Sequence, residues 1–460
     1  MTLRRPLSGP AVLLAAIALA ALWPVSAYVK SPAAFPLLLA ALAAGAVTIT
    51  RPEFGLAIVV ALSPLTNFVV NRDKPIQTLI PVLTVGLLAW GALVVRREGR
   101  LSTRGLTLPV LLFAGVALAS SMHAIAPSQA INKLLLVFTA SALFLAVVQV
   151  CRNAQAPLVV VGGCIAALLI GGLHGVIQQV TGTYGDAGFV ADGEVIARVQ
   201  GSFGHANQYA GFMAFLIPLA LALLVTRETT PRLRVFACGA LVAGLAGLTF
   251  SYTRGAMIGL VAGGLLWLAV IRPRAAAMSV VLVVIGALAL APGSLKDRFT
   301  QGDSGDVTLR QDLWGSALDI YSGSPVLGVG LSNFKEGYAR LPASLANASQ
   351  RRLLHNRQIL IPPHAANLFL NVLAEEGLVG LVALLLLMLS ALAAAYRGRR
   401  SADPVTRAVC AAVGAGVLGI AFHSIFEVTL FSELIVPLFA LLGVCAALVA
   451  QERERSTSAA

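Results

Sequence analysis

Stretches of about 20 consecutive apolar residues recur along the whole chain, each long enough to cross a hydrocarbon layer of about 30 Å. They fall near 10–28, 33–49, 54–71, 76–95, 106–122, 131–150, 157–179, 209–226, 232–250, 255–271, 275–292, 377–396, 406–427 and 432–450. The second and third are short and one pair among the first four can merge, so the reading is 12 to 14 spans. Of 460 residues, 58% are hydrophobic and only 12% charged, which excludes a soluble domain of this length. A β-barrel would show alternating segments of about 10 residues, and the sequence has none. The fold class is all-α: a polytopic transmembrane helical bundle.

Basic residues orient the bundle. With the N-terminus inside, the short inner segments hold 19 of the 33 Lys and Arg, the short outer segments 6, and a long segment 293–363 the remaining 8. This is the positive-inside pattern, so the net charge of +13 reads as topology, and no nucleic-acid partner is expected. The first apolar stretch, with Arg4 and Arg5 before it and Val25-Ser26-Ala27 after it, has the look of a signal peptide. Pro24 and Lys30 fit a helix end equally well, and an uncleaved first span is the expectation. The five cysteines lie in or at spans, which suggests no disulfide framework. No CxxC or HExxH pattern appears, so neither a protein-built metal site nor a cofactor is expected.

The chain divides into N-terminal transmembrane helices 1–180, a short outer segment 181–208 rich in glycine, central helices 209–292, the long outer loop 293–363, and C-terminal helices 364–460. Within the long loop, Leu309, Leu313, Ala317 and Ile320 share one face of an amphipathic helix. A loop of that length in a compact protein is usually functional.

Polar residues at the outer mouth carry the chemistry. His364, Asn367, Asn371 and Glu375 recur at steps of three, four and four, one face of a helix, with Glu376 beside them. Such a stripe can hydrogen-bond between helices or serve a site. Arg254 stands between two apolar runs, where it snorkels at a turn or pairs with Glu427, Glu433 or an anionic ligand. Arg198 precedes another span, and Gly201 and Gly204 beside it can let backbone N–H groups approach a ligand. Lys133 opens the sixth span on the same side, and Arg310 lies in the loop helix. Arginine forks suit a diphosphate, whose oxygens they bond two at a time. His174 and His423 read as hydrogen-bonders between helices, and His205 either as a residue near the site or as a solvated loop histidine.

Three segments together resemble the O-antigen ligase and polymerase family of bacterial envelope enzymes. One is "RVQGSFGHANQYAGF", with Arg198, Gly201, Phe203 and Asn207; the second is "SYTRGAMIGL", with Ser251 and Arg254. The third runs from Arg310 and Trp314 through Pro325, Gly328, Gly330 and Phe334 to His364, Asn367, Glu375 and Gly377. Pro362 and Pro363 stand where many relatives carry a polar residue or a second histidine. The resemblance covers about 195–385.

The resemblance implies metal-independent transfer of a glycan from undecaprenyl diphosphate at the periplasmic face of the inner membrane, within lipopolysaccharide biosynthesis. In the ligase branch, favoured here, the acceptor is the lipid A-core oligosaccharide. A polymerase or a protein O-oligosaccharyltransferase is the alternative within the family, and the short tail after the last span weighs against the latter. Arg198, Arg254, Arg310 and Lys133 would bind the donor diphosphate. His364 would be the base or the residue orienting the acceptor, and Glu375 would hold the imidazole or a neighbouring arginine. Asn367, Asn371, Trp314, Gly201 and Asn207 would support them. The competing class is a transporter or flippase for an anionic lipid, which should carry charges near the midplane in paired repeats. No internal repeat is evident, and the charges gather at outer ends.

Overall fold

The computed structural model describes residues 51–65, 105–152, 155–184, 188–191, 194–272, 304–341 and 363–459. Its helices are α1 (Pro52–Ala61), α2 (Thr107–Ser121), α3 (Pro127–Val150), α4 (Ala156–Thr181), α5 (Ala206–Val225), α6 (Pro231–Phe250), α7 (Arg254–Ile271), α8 (Ser304–Gly323), α9 (Phe334–Ala339), α10 (Leu368–Gly398), α11 (Pro404–His423) and α12 (Ile435–Ala459). Eight of these, α3 to α7 and α10 to α12, are long and apolar enough to cross a membrane. The shorter apolar helices α1 and α2 fall on two further expected spans. The expected spans at 10–28, 33–49, 76–95 and 275–292 lie outside the described residues, as do 293–303 and 342–362 of the expected loop. The chain is a multi-pass helical membrane protein. Among the described residues the departure from all-helix is an antiparallel hairpin, β1 (Gly188–Ala191) with β2 (Glu194–Ala197), inside the glycine-rich segment 181–208.

Local sequence sets the helix ends. Pro occupies the first turn of α3, α4, α6 and α11, where its missing N–H costs nothing. Asp403 caps α11 by accepting from the N–H groups of Val405 and Thr406. Gly182 ends α4 in the left-handed conformation, φ +67°.

Lipid tails are as apolar as leucine, so close packing, not water exclusion, holds these helices together. Small residues permit it. On α7, Gly259 and Gly263 face Gly419 of α11 so closely that a Cβ at Gly259 would lie 2.6 Å from the Gly419 carbonyl oxygen. Tyr209, Phe212, Met213 and Phe215 of α5 are fully buried at the centre. The Tyr209 hydroxyl donates to the Gly171 carbonyl at 3.1 Å and lies against Gly175 and Gly247, where a side chain would displace it. The loop helix α8 packs by Leu313, Ala317 and Ile320 against Phe334, Tyr338, Ala365 and Ala374. Leu309, expected on that face, is 44% exposed.

The starts of α3, α5, α7, α10 and α12 and the ends of α4, α6 and α11 meet at one end of the bundle. There Lys133 reaches the 424–434 turn and Arg198 reaches the α6–α7 turn. At the other end α12 returns to α3 through Gln451 and Cys151, and Arg227, Arg234, Arg397 and Arg407 gather.

Candidate functional site

The stripe read as one helical face is broken where it begins. Asn367 has extended backbone, φ −157°, and is the N-cap of α10, its side chain accepting from the N–H groups of Phe369 and Leu370. His364 therefore lies off the helix, in the bent lead-in before it. Asn371, one turn in, turns back to accept from the Ala365 N–H at 3.0 Å. Ala366 sits at φ +50° between them. The lead-in is thus held by its own polar residues, and the Leu368 N–H adds a bond to the Ser424 carbonyl at 2.8 Å.

Among the described residues Glu375 has neither the imidazole nor the arginine partner that the sequence led us to expect. Its two oxygens accept from the backbone N–H groups of Ser332 (2.9 Å) and Phe334 (3.0 Å), which anchors the glycine-rich turn before α9. The cause is Gly377. At φ 69° and ψ −167°, a conformation essentially reserved to glycine, it breaks α10 and opens its backbone to the turn. Val329 and Gly330 then donate to the carbonyls of Ala374 and Glu375, and Leu378 donates to that of Pro325. Glu376 is fully buried, and its carboxyl oxygens have no hydrogen-bond partner among the described residues.

Gly201 also differs from expectation. Its N–H is taken by the Gln178 side chain at 2.8 Å and its carbonyl returns the bond at 2.9 Å, so it braces α4. Its φ of +59° explains the glycine.

The other expected residues converge on two turns. Arg198 is buried; its Nε donates to the Ser251 carbonyl (2.8 Å) and one Nη to Asn207 Oδ1 (2.7 Å) and Thr253 Oγ1 (2.8 Å). That grip shapes the α6–α7 turn, from which Arg254 opens α7. Gly255, the next residue, abuts His423 and Phe426. Arg310 of α8 donates to the Phe426 carbonyl (3.2 Å) and Lys133 to that of Phe431 (2.7 Å), so both cations dock on the 424–434 turn. Trp314, one turn after Arg310 in α8, is half-buried, and its indole N–H has no partner among the described residues. His423 bonds the Asn207 carbonyl through Nε2 at 3.2 Å, the interhelical role read from sequence.

At the centre stands a residue the sequence reading treated only as a partner for arginine. Glu427 is buried; its Oε2 accepts from Asn207 Nδ2 (2.5 Å), its Oε1 from the Val428 N–H (3.0 Å), and His364 Nε2 faces Oε1 at 3.5 Å. Burial pushes this carboxyl up, but His364, the Asn207 amide and the Val428 N–H together hold it below the usual carboxylate range. Burial lowers the His364 pKa, Glu427 opposes the shift and Lys133 adds to it. The signal that points to Glu427 is a carboxylate in a short turn between two apolar spans. Among the described residues no group of three or more His, Cys, Asp or Glu is arranged to hold a metal ion.

Residues 239–385 match the O-antigen ligase family model. The O-antigen ligase match runs from within α6 to within α10 and takes in Arg254, Arg310, His364, Asn367 and Glu375. Arg198, Asn207 and Glu427, which complete the cluster, lie on either side of it. The general chemistry of the O-antigen ligase family is glycosyl transfer of the ligase or polymerase type. No curated protein matches the chain.

Proposed function

We propose that this chain is an O-antigen ligase: it moves a glycan from undecaprenyl diphosphate to the lipid A-core oligosaccharide at the periplasmic face of the inner membrane. The observation that carries the reading is the convergence of Lys133 and Arg310 on the turn that presents Glu427 to His364, beside the start of α7 with Arg254.

Breaking the glycosidic bond puts growing negative charge on the diphosphate, so fixed positive charge there lowers the barrier. Arg254 supplies a planar fork, and the N-terminus of α7 adds its partial positive charge. Arg198 acts one step back, setting the turn and holding Asn207. Arg310 and Lys133, anchored by backbone carbonyls, contribute field without needing to move. His364, about a third exposed, lies where an acceptor hydroxyl can meet the donor. In this reading side chains carry the positive charge, so EDTA leaves transfer unchanged.

The charged residues of the cluster sit at helix ends, not at mid-span, which favours an enzyme over a lipid transporter. Purified protein given a labelled glycan on undecaprenyl diphosphate, with either lipid A-core or free repeat units, tests the proposal. Label on lipid A-core supports it. Lengthened repeats would make the chain a polymerase, and carrier movement without transfer would make it a transporter. For sidedness, Arg340→Cys should react with an impermeant thiol reagent on intact spheroplasts, and Arg400→Cys should not. The reverse labelling would contradict the periplasmic site.

A further inference from the structure

We propose that Glu427 takes the proton of the acceptor hydroxyl, and that His364 holds that hydroxyl through its Nε2–H. The inference rests on the glycosyl-transfer reading and assigns the two roles within it.

The wiring of the pair decides. In the familiar carboxylate–histidine arrangement the carboxylate takes Nδ1–H and leaves Nε2 bare to act as base. Here the order is reversed. His364 Nδ1 accepts the Ala366 backbone N–H at 3.1 Å, so Nδ1 carries no proton. The neutral ring then has its proton on Nε2, the nitrogen that faces Glu427 Oε1. A ring so held is a donor on its open side and has no bare nitrogen to offer a hydroxyl. The Ala366 N–H is fixed in place by the chain around it: Ala366 is at φ +50°, Ala365 donates to Asn371, and Asn367 caps α10.

Glu427 is the acceptor left. Arg198 grips Asn207, Asn207 grips Oε2, and the Val428 N–H takes one lone pair of Oε1. His364 Nε2 lies 3.5 Å from the same Oε1, which keeps a second lone pair. At 3.5 Å the two atoms are farther apart than in a made hydrogen bond. A hydroxyl oxygen on the open side of the pair can accept from Nε2–H and donate to Oε1, a contact that tightens when substrate is bound. Carboxylates serve as the base in inverting glycosidases by the same chemistry.

A lone pair of the acceptor oxygen forms the bond to the anomeric carbon. The bond from that carbon to the diphosphate oxygen breaks, and its electron pair leaves with undecaprenyl diphosphate. The hydroxyl proton passes to Glu427 Oε1 and then to solvent. As the new bond forms the hydroxyl becomes strongly acidic, so a carboxylate held below its usual range is still basic enough to take the proton.

The test uses the full-length protein with labelled glycan on undecaprenyl diphosphate and lipid A-core, reading turnover and carrier binding separately. Glu427→Gln should lose about 10²–10⁴-fold in turnover and keep carrier binding. His364→Gln, whose amide can still donate, should fall only about ten-fold, the cost of a poorer hydrogen bond. Formate should restore turnover to Glu427→Ala, a rescue that a merely structural carboxylate would not give. The assignment is overturned if His364→Gln falls as far as Glu427→Gln does, if Glu427→Gln stays within ten-fold of the unmodified chain, or if formate does nothing for folded Glu427→Ala. Where the Glu427 variants do not fold, His364→Gln alone decides: a fall of about 10²-fold or more overturns the assignment. An unmodified chain that transfers to no acceptor would overturn the transfer reading itself, which is a different failure.

Discussion

Two buried polar clusters lie at the same end of this bundle, one built around Glu375 and the other around Glu427. Each carboxylate is nearly inaccessible, yet their surroundings differ in kind. Glu375 gives both oxygens to backbone N–H groups of the turn before α9, and the helix carbonyls beside it accept from the same segment. Glu427 is held on one side by Asn207 and on the other looks toward His364 across a gap. The first arrangement is closed: both Glu375 oxygens have fixed backbone partners, as buried polar atoms require. The second has an open edge reaching a partly exposed imidazole. Glu375, within the matched stretch, is bonded to the turn before α9, and Glu427, beyond that stretch, is the carboxylate that faces His364.

The largest effect should come from opening the closed cluster. Glu375→Ala leaves two buried N–H groups without acceptors, and at about 1–3 kcal/mol each the loss is about 2–6 kcal/mol. Thermal unfolding in detergent should show it, while transfer per folded molecule should stay close to normal. A stable Glu375→Ala protein with no transfer would move Glu375 into the chemistry. Next in size, His364→Ala should lower transfer about 10²–10³-fold, the cost of losing one donor at the reacting centre. Carrier binding should be unaffected, and its loss would assign His364 to the diphosphate or to the fold. Arg254→Lys keeps the charge but not the fork, and turnover should drop about ten-fold or more with normal expression. Full activity there would return Arg254 to a snorkelling role.

The smallest effect is on pH. Burial puts the folded-state pKa of His364 below its ordinary value of 6.5, against Glu427 and with Lys133. The unfolded chain therefore binds this proton first as pH falls, so stability is full above about pH 6.5 and declines below it. The ring is 32% exposed, which keeps the effect small. Melting temperature between about pH 7.5 and 5.5 should show a decline that His364→Gln reduces. A rise in stability on acidification would contradict the sign.

Much of this was legible in the sequence, and the failures have physical causes. Apolar runs gave the spans because a bilayer demands their length. The face of α8 was readable in Leu313, Ala317 and Ile320, which are buried, while Leu309 is not. Periodicity placed His364 on a helix because it cannot see a cap; Asn367 takes extended backbone and starts the helix after itself. It also ran through Gly377, whose single positive φ turns one helix into two. Asn207, held by Arg198, meets Glu427 across 220 residues of chain, and no local pattern encodes that pairing. Only the position of Glu427, a carboxylate between two spans, hinted at it.

One experiment sets the two carboxylates against each other. Glu375→Gln and Glu427→Gln, purified side by side, are compared for melting temperature and for transfer from the undecaprenyl diphosphate donor under saturating acceptor. Glu375→Gln should be the less stable and the more active, and Glu427→Gln should be folded, bind carrier and fail to transfer. A folded but inactive Glu375→Gln alongside an active Glu427→Gln would contradict these roles.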